Sequence, residues 1–495
     1  MKATNRSYTL CMHVIMIYGY LLLSLLDDDT DDHLGSNTAA ASFDDDYSKN
    51  LEAFDKSSEA SILSPGILPD YSSIPTMEAS IKKKKKMMMN KLPIDPSSSV
   101  KDLSPADIEY INQLPNLGRQ HCSALLKVLS NFSDVLFAHN TWDNYQAAAP
   151  RIFKHYRYPS IKDQRILRSS QQMYDTFFSS SPVLLSSVDD FYINYGGPHG
   201  SQMTVMETSL DIYNPSLYDY IHPQSILCWI RVNVANQLST TGDQWAQLFS
   251  RSHSGTYANQ WMILDFNAFN KTNGLEDGFF TLLEELPGEV AYGDLTQVLK
   301  SKTYWASYNA PYFPEIATQS MNRLKCEVNS ENCYQSNSRA NIFRTEQQKI
   351  ESIADLQRLI QLNNYMDNPY SMNDSCFAIA CRNDLMIDVS KRSPFGAIDA
   401  KVSSIVLARH SLHSAAVDQP IMPIVMTKLG PTSDSLPPFC WHQFDHLTDS
   451  NSSNRSNSSN STAGMIGKGR KYSHSGHPEC FHYDWQQMPP PSVKR

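Results

Sequence analysis

Two short runs hold the residues best suited to covalent chemistry. Cys122 opens "CSALLKVL", and His139, Asn140, Thr141 and Trp142 close "DVLFAHNTW". An ionised thiol is a nucleophile, an imidazole can accept its proton, and an amide or hydroxyl can donate to developing negative charge. Both runs alternate like strands, and the turn-rich "SNFS" that joins them predicts a β-hairpin with its turn near Asn131. Folding the chain there sets Cys122 opposite the segment His139 to Thr141. Side chains facing each other across a strand pair have Cβ atoms about 5 Å apart. The same residues also read as a small buried hydrophobe beside a capping histidine, which is how free cysteines usually behave.

Other reactive groups form weaker patterns. The chain has nine cysteines. Cys326 with Cys333 and Cys376 with Cys381 are close in sequence, but spacing does not fix connectivity, and an odd count leaves a thiol over. Cys122 is the candidate for that thiol, while Cys228 sits in a helix-like run and reads as core. His474, His477, His482 and Cys480 cluster without a second pair at zinc spacing, so no metal site is expected. "SGTYANQW" from Ser254 lacks the glycines of a nucleophile elbow, and no glycine-rich phosphate loop is present. No cofactor is expected.

The elements that must position Cys122 lie in a chain of 495 residues, with 41% hydrophobic and 19% charged side chains, which describes a globular protein. A formal charge of -9 argues against nucleic acid as a partner. Residues 1–26 carry Lys2 and Arg6 ahead of an apolar stretch and an acidic block, the parts of a secretory signal peptide or a retained anchor. Residues 27–105 are low in complexity and read as a disordered propeptide or linker. Their lysine run, Lys82 to Lys86, could make peripheral contact with anionic lipid or serve only as a solvated linker. A short pre-nucleophile segment, 106–121, follows, with Ser104 placed as the N-cap of "SPADIEYINQL". From Cys122 to the end the texture is that of one folded domain, interrupted by a Ser/Asn-rich insertion at 448–465. "AAAPRIFKHY" reads as a helix broken by Pro150.

Several long blocks carry a resemblance. "HCSALLKVLSNFSDVLFAHNTWDNYQAAAPRIFKHY", "SSSPVLLSSVDDFYINYGG", "CWIRVNVANQLSTTGDQWAQLFSRSHSGTYANQWMILD", "YWASYNAPYFPEI", "RANIFRTEQQKI", "NNYMDNPYS", "GAIDAKVSS" and the tail "HPECFHYDWQQM" occur in that order. Together they resemble the phospholipase B-like proteins, the lysosomal family that includes the laminin-ancestor proteins. The resemblance spans roughly Leu117 to Met488, and little ahead of Leu117 looks like the family's longer pre-nucleophile segment.

The resemblance implies an α+β fold, the αββα sandwich of two antiparallel sheets flanked by helices found in N-terminal-nucleophile hydrolases. It implies self-cleavage between His121 and Cys122, after which Cys122 attacks an acyl ester or amide bond. Before the cut the nitrogen of Cys122 is an amide and cannot accept a proton; afterwards it is an amine with an ordinary pKa of about 7.7–8.0. By the same resemblance His139 and Trp142 flank the nucleophile, Asn309 donates to the oxyanion, and Arg344 orients a carboxylate or steadies the new amine. The expected partner is a lipid or small N-acyl substrate, and the oligomeric state stays open. The alternative is a catalytically idle binding protein that keeps the fold. Sequons at Asn131, Asn270 and Asn373, with four more in the insertion, agree with a lysosomal or secreted glycoprotein.

Overall fold

The computed structural model describes residues 94–116, 121–149, 151–159, 173–196, 200–410, 422–444, 474 and 476–489, all within the unit Lys91–Arg495. The signal or anchor segment, the lysine run, Pro150 and the Ser/Asn-rich insertion lie outside the described residues.

Strands run in chain order as β1 (His121–Val128), β2 (Val135–Asn144), β3 (Ile152–Pro159), β4 (Met173–Ser180), β5 (Phe191–Gly196), β6 (Ser201–Ser209), β7 (Asn259–Asp265) and the short pair β8 (Phe269–Asn270) and β9 (Gly274–Leu275). They continue as β10 (Phe280–Leu286), β11 (Glu289–Asp294), β12 (Tyr304–Ser307), β13 (Phe395–Ala397), β14 (Asp399–Ser404), β15 (Val425–Leu429) and β16 (Gln486–Met488). The helices are α1 (Pro105–Gln113), α2 (Cys228–Leu238), α3 (Gly242–Ser250), α4 (Thr296–Lys302), α5 (Pro314–Gln319), α6 (Asn322–Val328), α7 (Ser338–Glu346), α8 (Ile353–Ile360) and α9 (Ile405–Ala408). One antiparallel sheet has the order β12-β1-β2-β14-β15-β16, with β13 also on β2; the other has the order β11-β10-β7-β6-β5-β4-β3.

Alternation along the strands stacks these sheets. Ala124, Leu126 and Val128 of β1 and Val135 and Phe137 of β2 point into a core shared with Phe177, Ile193, Met206, Met262 and Leu282 of the second sheet. The intervening Leu125, Leu136 and Ala138 pack the other way, on Phe343 of α7 and Leu356 and Ile360 of α8. The second sheet's outer face, with Tyr192, Val205 and Trp261, is covered by Val232 of α2 and Trp245 and Phe249 of α3. Strands buried on both faces read as continuous apolar runs, as "SALLKV" does. The layers are therefore helix, sheet, sheet, helix, the expected α+β sandwich.

The predicted hairpin is present. Asn131 and Phe132 turn the chain with φ of 55° and 51°, a left-handed region that asparagine enters readily. Cys122 pairs with Thr141, Ser123 with Asn140 and Ala124 with His139.

Two expectations change. "RIFKHYRYP" is not helical: Ile152–Pro159 is the edge strand β3, paired along its length with β4. Its alternating aromatic residues fit a pleated surface, and that pairing outweighs the helix-favouring alanines before it. The end of the stretch read as a linker, residues 27–105, is also packed. Ser104 caps α1 in a reciprocal capping box with Asp107. Ile94, Ile111 and Leu114 pack against Tyr213, Met321 and Leu324, so the folded part begins inside the stretch read as low-complexity.

Candidate active site

Cys122 lies one residue into β1, in step with Ala124 and Leu126 and hence on the face between the sheets. It is a buried free thiol, 2% exposed. Burial pushes its pKa well above the ordinary thiol value, and the Glu207 carboxyl adds to that; a backbone hydrogen bond from Trp142 and the charge of Lys401 pull the other way. The sulfur is held as a thiol.

One guanidinium organises the backbone around it. Arg339, near the start of α7, donates to the Cys122 carbonyl at 2.7 Å and to Ser123 Oγ at 3.3 Å. Its other terminal nitrogen donates to the Tyr308 carbonyl at 2.8 Å and to Asn309 Oδ1 at 2.7 Å. The group lies 4.6 Å from the centre of the Trp142 ring, and burial lowers its pKa to about 10. The Trp142 indole donates to Asn140 Oδ1 at 2.9 Å. Asn140 in turn accepts from the Ser123 N–H and donates to the carbonyls of Ile360 and Ile379, which ties the nucleophile strand to the end of α8.

Asn309 reaches the same place by an unusual backbone. Its φ is 75° and it is 1% exposed. Its Nδ2 donates to the Ser209 carbonyl at 2.7 Å and to Ser209 Oγ at 3.2 Å. The atom that faces Arg339 is thus Oδ1, and the amide hydrogens expected to meet an oxyanion are committed to Ser209. His121 sits beside them, 3.8 Å from the Asp211 carboxylate. Asp211 also accepts from the Asn116 amide at 2.6 Å, so one carboxylate lies against both His121 and Asn116.

Behind Cys122 is a buried group of four charges. Lys401 donates to Thr141 Oγ1 at 2.8 Å, to Asp189 at 2.5 Å and to Asp399 at 2.8 Å. Arg151 pairs with both carboxylates, and Asp399 accepts from the Thr141 N–H at 3.1 Å. Two cations and two anions balance, which such burial requires, and the group holds Thr141 directly across from Cys122. A cavity of about 210 Å³ opens onto Arg151, Asp399 and Lys401.

His139 lies on the same face of β2 as Thr141. Its Nε2 is 2.8 Å from the Glu207 carbonyl oxygen, so Nε2 carries the proton, and Nδ1 has no hydrogen-bond partner. Burial, reinforced by Lys401, lowers its pKa to about 3. It is a neutral imidazole at any physiological pH.

Burial raises the Glu207 carboxyl from 4.5 to about 8, against a hydrogen bond from Tyr257. The folded state therefore keeps a proton that the unfolded chain releases, and stability falls as pH rises across that window. Glu207→Gln should melt like the wild type below about 4.5 and above it in temperature as pH approaches 8, with the gap widening in between. Melting curves across that range check this, and a constant gap would mean that the buried carboxyl is already ionised.

Arg344 is not brought to this cluster. It is exposed on α7 and donates to Asn341 Oδ1 and the Gln335 carbonyl. The arginine at Cys122 is Arg339, from the same "RANIFRTEQ" block. Five positions on a helix turn about 500°, so the two point about 140° apart, and only packing decides which one faces β1. Glu207, Asp189, Asp399 and Lys401 were missed as well, for none stands in a pattern that spacing alone could flag. Cys480 is bonded to Cys440 rather than free for a metal, and His474 stacks flat on Trp441 at 4.8 Å. Cys326–Cys333 and Cys376–Cys381 are the other disulfides among the described residues.

The chain is similar to known proteins over most of its length. The family model described as Phospholipase B matches residues 67–488, starting well ahead of Leu117 and taking in the packed pre-nucleophile segment. The chain is similar to phospholipase B-like 1 of Bos taurus, 33% identical over 395 residues covering 79% of this chain and 63% of the relative. It is 34% identical to phospholipase B-like protein G of Dictyostelium discoideum over 74% of this chain and 56% of the relative. Phospholipase-B 81 of Drysdalia coronoides is 34% identical over 75% of this chain and 58% of its own length. The chain thus spans about three-fifths of the length of these relatives. With the sandwich and collinear blocks on both sides of Cys122, these matches lead to one conclusion: the chain belongs to the phospholipase B family.

Proposed function

We propose that the chain is an N-terminal-nucleophile hydrolase that cuts itself between His121 and Cys122 and then hydrolyses an acyl ester or linear amide. The observation that carries this reading is Arg339, which donates to the carbonyl of a buried free cysteine at the start of a central strand and is itself held by Asn309 Oδ1 and the Trp142 ring. In the first step Sγ attacks the His121 carbonyl carbon, the C–N bond breaks with its nitrogen leaving as the Cys122 amine, and water hydrolyses the thioester. The products are a His121 carboxylate and a free thiol beside a free amine. That amine becomes the general base for substrate. Burial and the adjacent Arg339 charge both favour its neutral form, which supports work in an acidic compartment. With Glu207 protonated up to about 8, its carboxyl does not offset this effect in acid.

The relatives' names favour acyl esters of lipids, while the nucleophile suits amides equally, so the substrate class is a lipid or small N-acyl compound. Asn309 acts by fixing Arg339 through Oδ1, and His139 serves as a neutral donor that ties β2 to β6. The intact mass of purified protein tests the proposal: a fragment beginning at Cys122 supports it, and a chain uncut there supports an idle binding protein.

A secretory route to the lysosome or the exterior fits the three disulfides. Among the described residues no helix is long and apolar enough to cross a membrane. Asn131, Asn270 and Asn373 are all exposed, and glycan is expected on at least one. Endoglycosidase treatment should increase gel mobility; an unchanged band with cytosolic fractionation would remove the lysosomal reading.

A further inference from the structure

A second cavity, about 430 Å³, lies against β12 and α7 on the side away from the thiol. Its volume falls within the range of roughly 300–1,000 Å³ typical of small-molecule sites. Tyr304, Tyr308 and Tyr334 form an aromatic wall, with the Tyr308 and Tyr334 rings stacked 5.4 Å apart. Trp305, 2% exposed, is also among the lining residues, and its indole N–H has no hydrogen-bond partner.

The polar side of the cavity is cationic. Lys302 and Arg344 line it, and among the described residues no carboxylate does. Nor does either cation pair with a carboxylate among the described residues. Arg344 is pinned by its bonds to Asn341 and Gln335, which use two of the five N–H groups a guanidinium carries. The fork is thereby pre-oriented with donors to spare. Behind the wall the ammonium of Lys127 donates to the lining residue Gln347 at 2.7 Å, adding positive charge. Cations with no carboxylate partner among the described residues, set beside an aromatic wall, suit a ligand with one anionic end and one apolar end.

We propose that this cavity binds a small amphipathic anion, with a phosphate or carboxylate head on Lys302 and Arg344 and an acyl or aryl body on Tyr304, Tyr308 and Tyr334. The site is separate from the nucleophile, because Tyr304, Ala306 and Tyr308 pack on the helix-covered face of the sheet whereas Cys122 faces the other sheet. It does not depend on the hydrolase reading.

The test is calorimetric titration of the full protein with octyl phosphate, octanoate and neutral octanol. At least one anion should bind saturably, at least about tenfold more tightly than octanol. The Lys302→Gln/Arg344→Gln double variant should keep its melting temperature, since both side chains are at the surface, and lose at least about tenfold in anion affinity. Cys122→Ala should bind as the wild type does. The anion that binds more tightly identifies the head group. If neither anion binds, if octanol binds equally well, or if the double variant retains full affinity, the proposal is overturned.

Discussion

Cys122→Ala should accumulate as one chain with no fragment beginning at residue 122. In the proposed mechanism the substitution removes the attacking atom and little else. The side chain is small and 2% exposed, it sits in a strand paired with β2 through residues that keep their backbone, and alanine fits the same space. The expected loss is therefore complete for cutting and slight for stability. Cys122→Ser should behave differently, for a hydroxyl can attack, though with a much higher pKa it does so more slowly. Intact mass over days separates the three proteins. An alanine variant that is still cut at this bond would mean that another protease acts there.

Arg339→Lys is expected to fold and to cut slowly. The guanidinium spans four acceptors, the Cys122 carbonyl and Ser123 Oγ on β1 and the Tyr308 carbonyl and Asn309 Oδ1 beyond β12, a fork that a single ammonium cannot reproduce. Misplacing a reacting group by an ångström costs on the order of 10²-fold in rate, and that is the expected slowing. Arg339→Ala should be worse in a second way. It strands the Cys122 and Tyr308 carbonyls and Asn309 Oδ1, each at about 1–3 kcal/mol if left unpaired in the interior, so its melting temperature should drop as well. Comparing cutting rate with melting temperature distinguishes the two effects. A lysine variant that cuts at the wild-type rate would show that charge alone is needed and that the fork's geometry is not.

The hairpin was legible from the chain alone because its determinants are local. "SNFS" contains a residue that tolerates positive φ, the flanking runs alternate, and strand pairing with a known turn fixes register to the residue. Cys122 opposite Thr141 follows from that arithmetic. The cap at Ser104 was legible for the same reason, since donor and acceptor lie within one turn of helix. "AAAPRIFKHY" reads locally as a helix, and pairing with β4, a separate segment further along the chain, decides for strand. The choice of arginine was beyond local reasoning altogether. Arg339 and Arg344 share a helix and a composition, and differ only in which faces the edge of the β12-β1 pair. The four-charge group illustrates the limit most fully: Arg151, Asp189, Asp399 and Lys401 come from β14 and from the loops before β3 and β5. Nothing in their sequence separation predicts that they meet. They meet because two sheets close over one core, and charges trapped there must find each other.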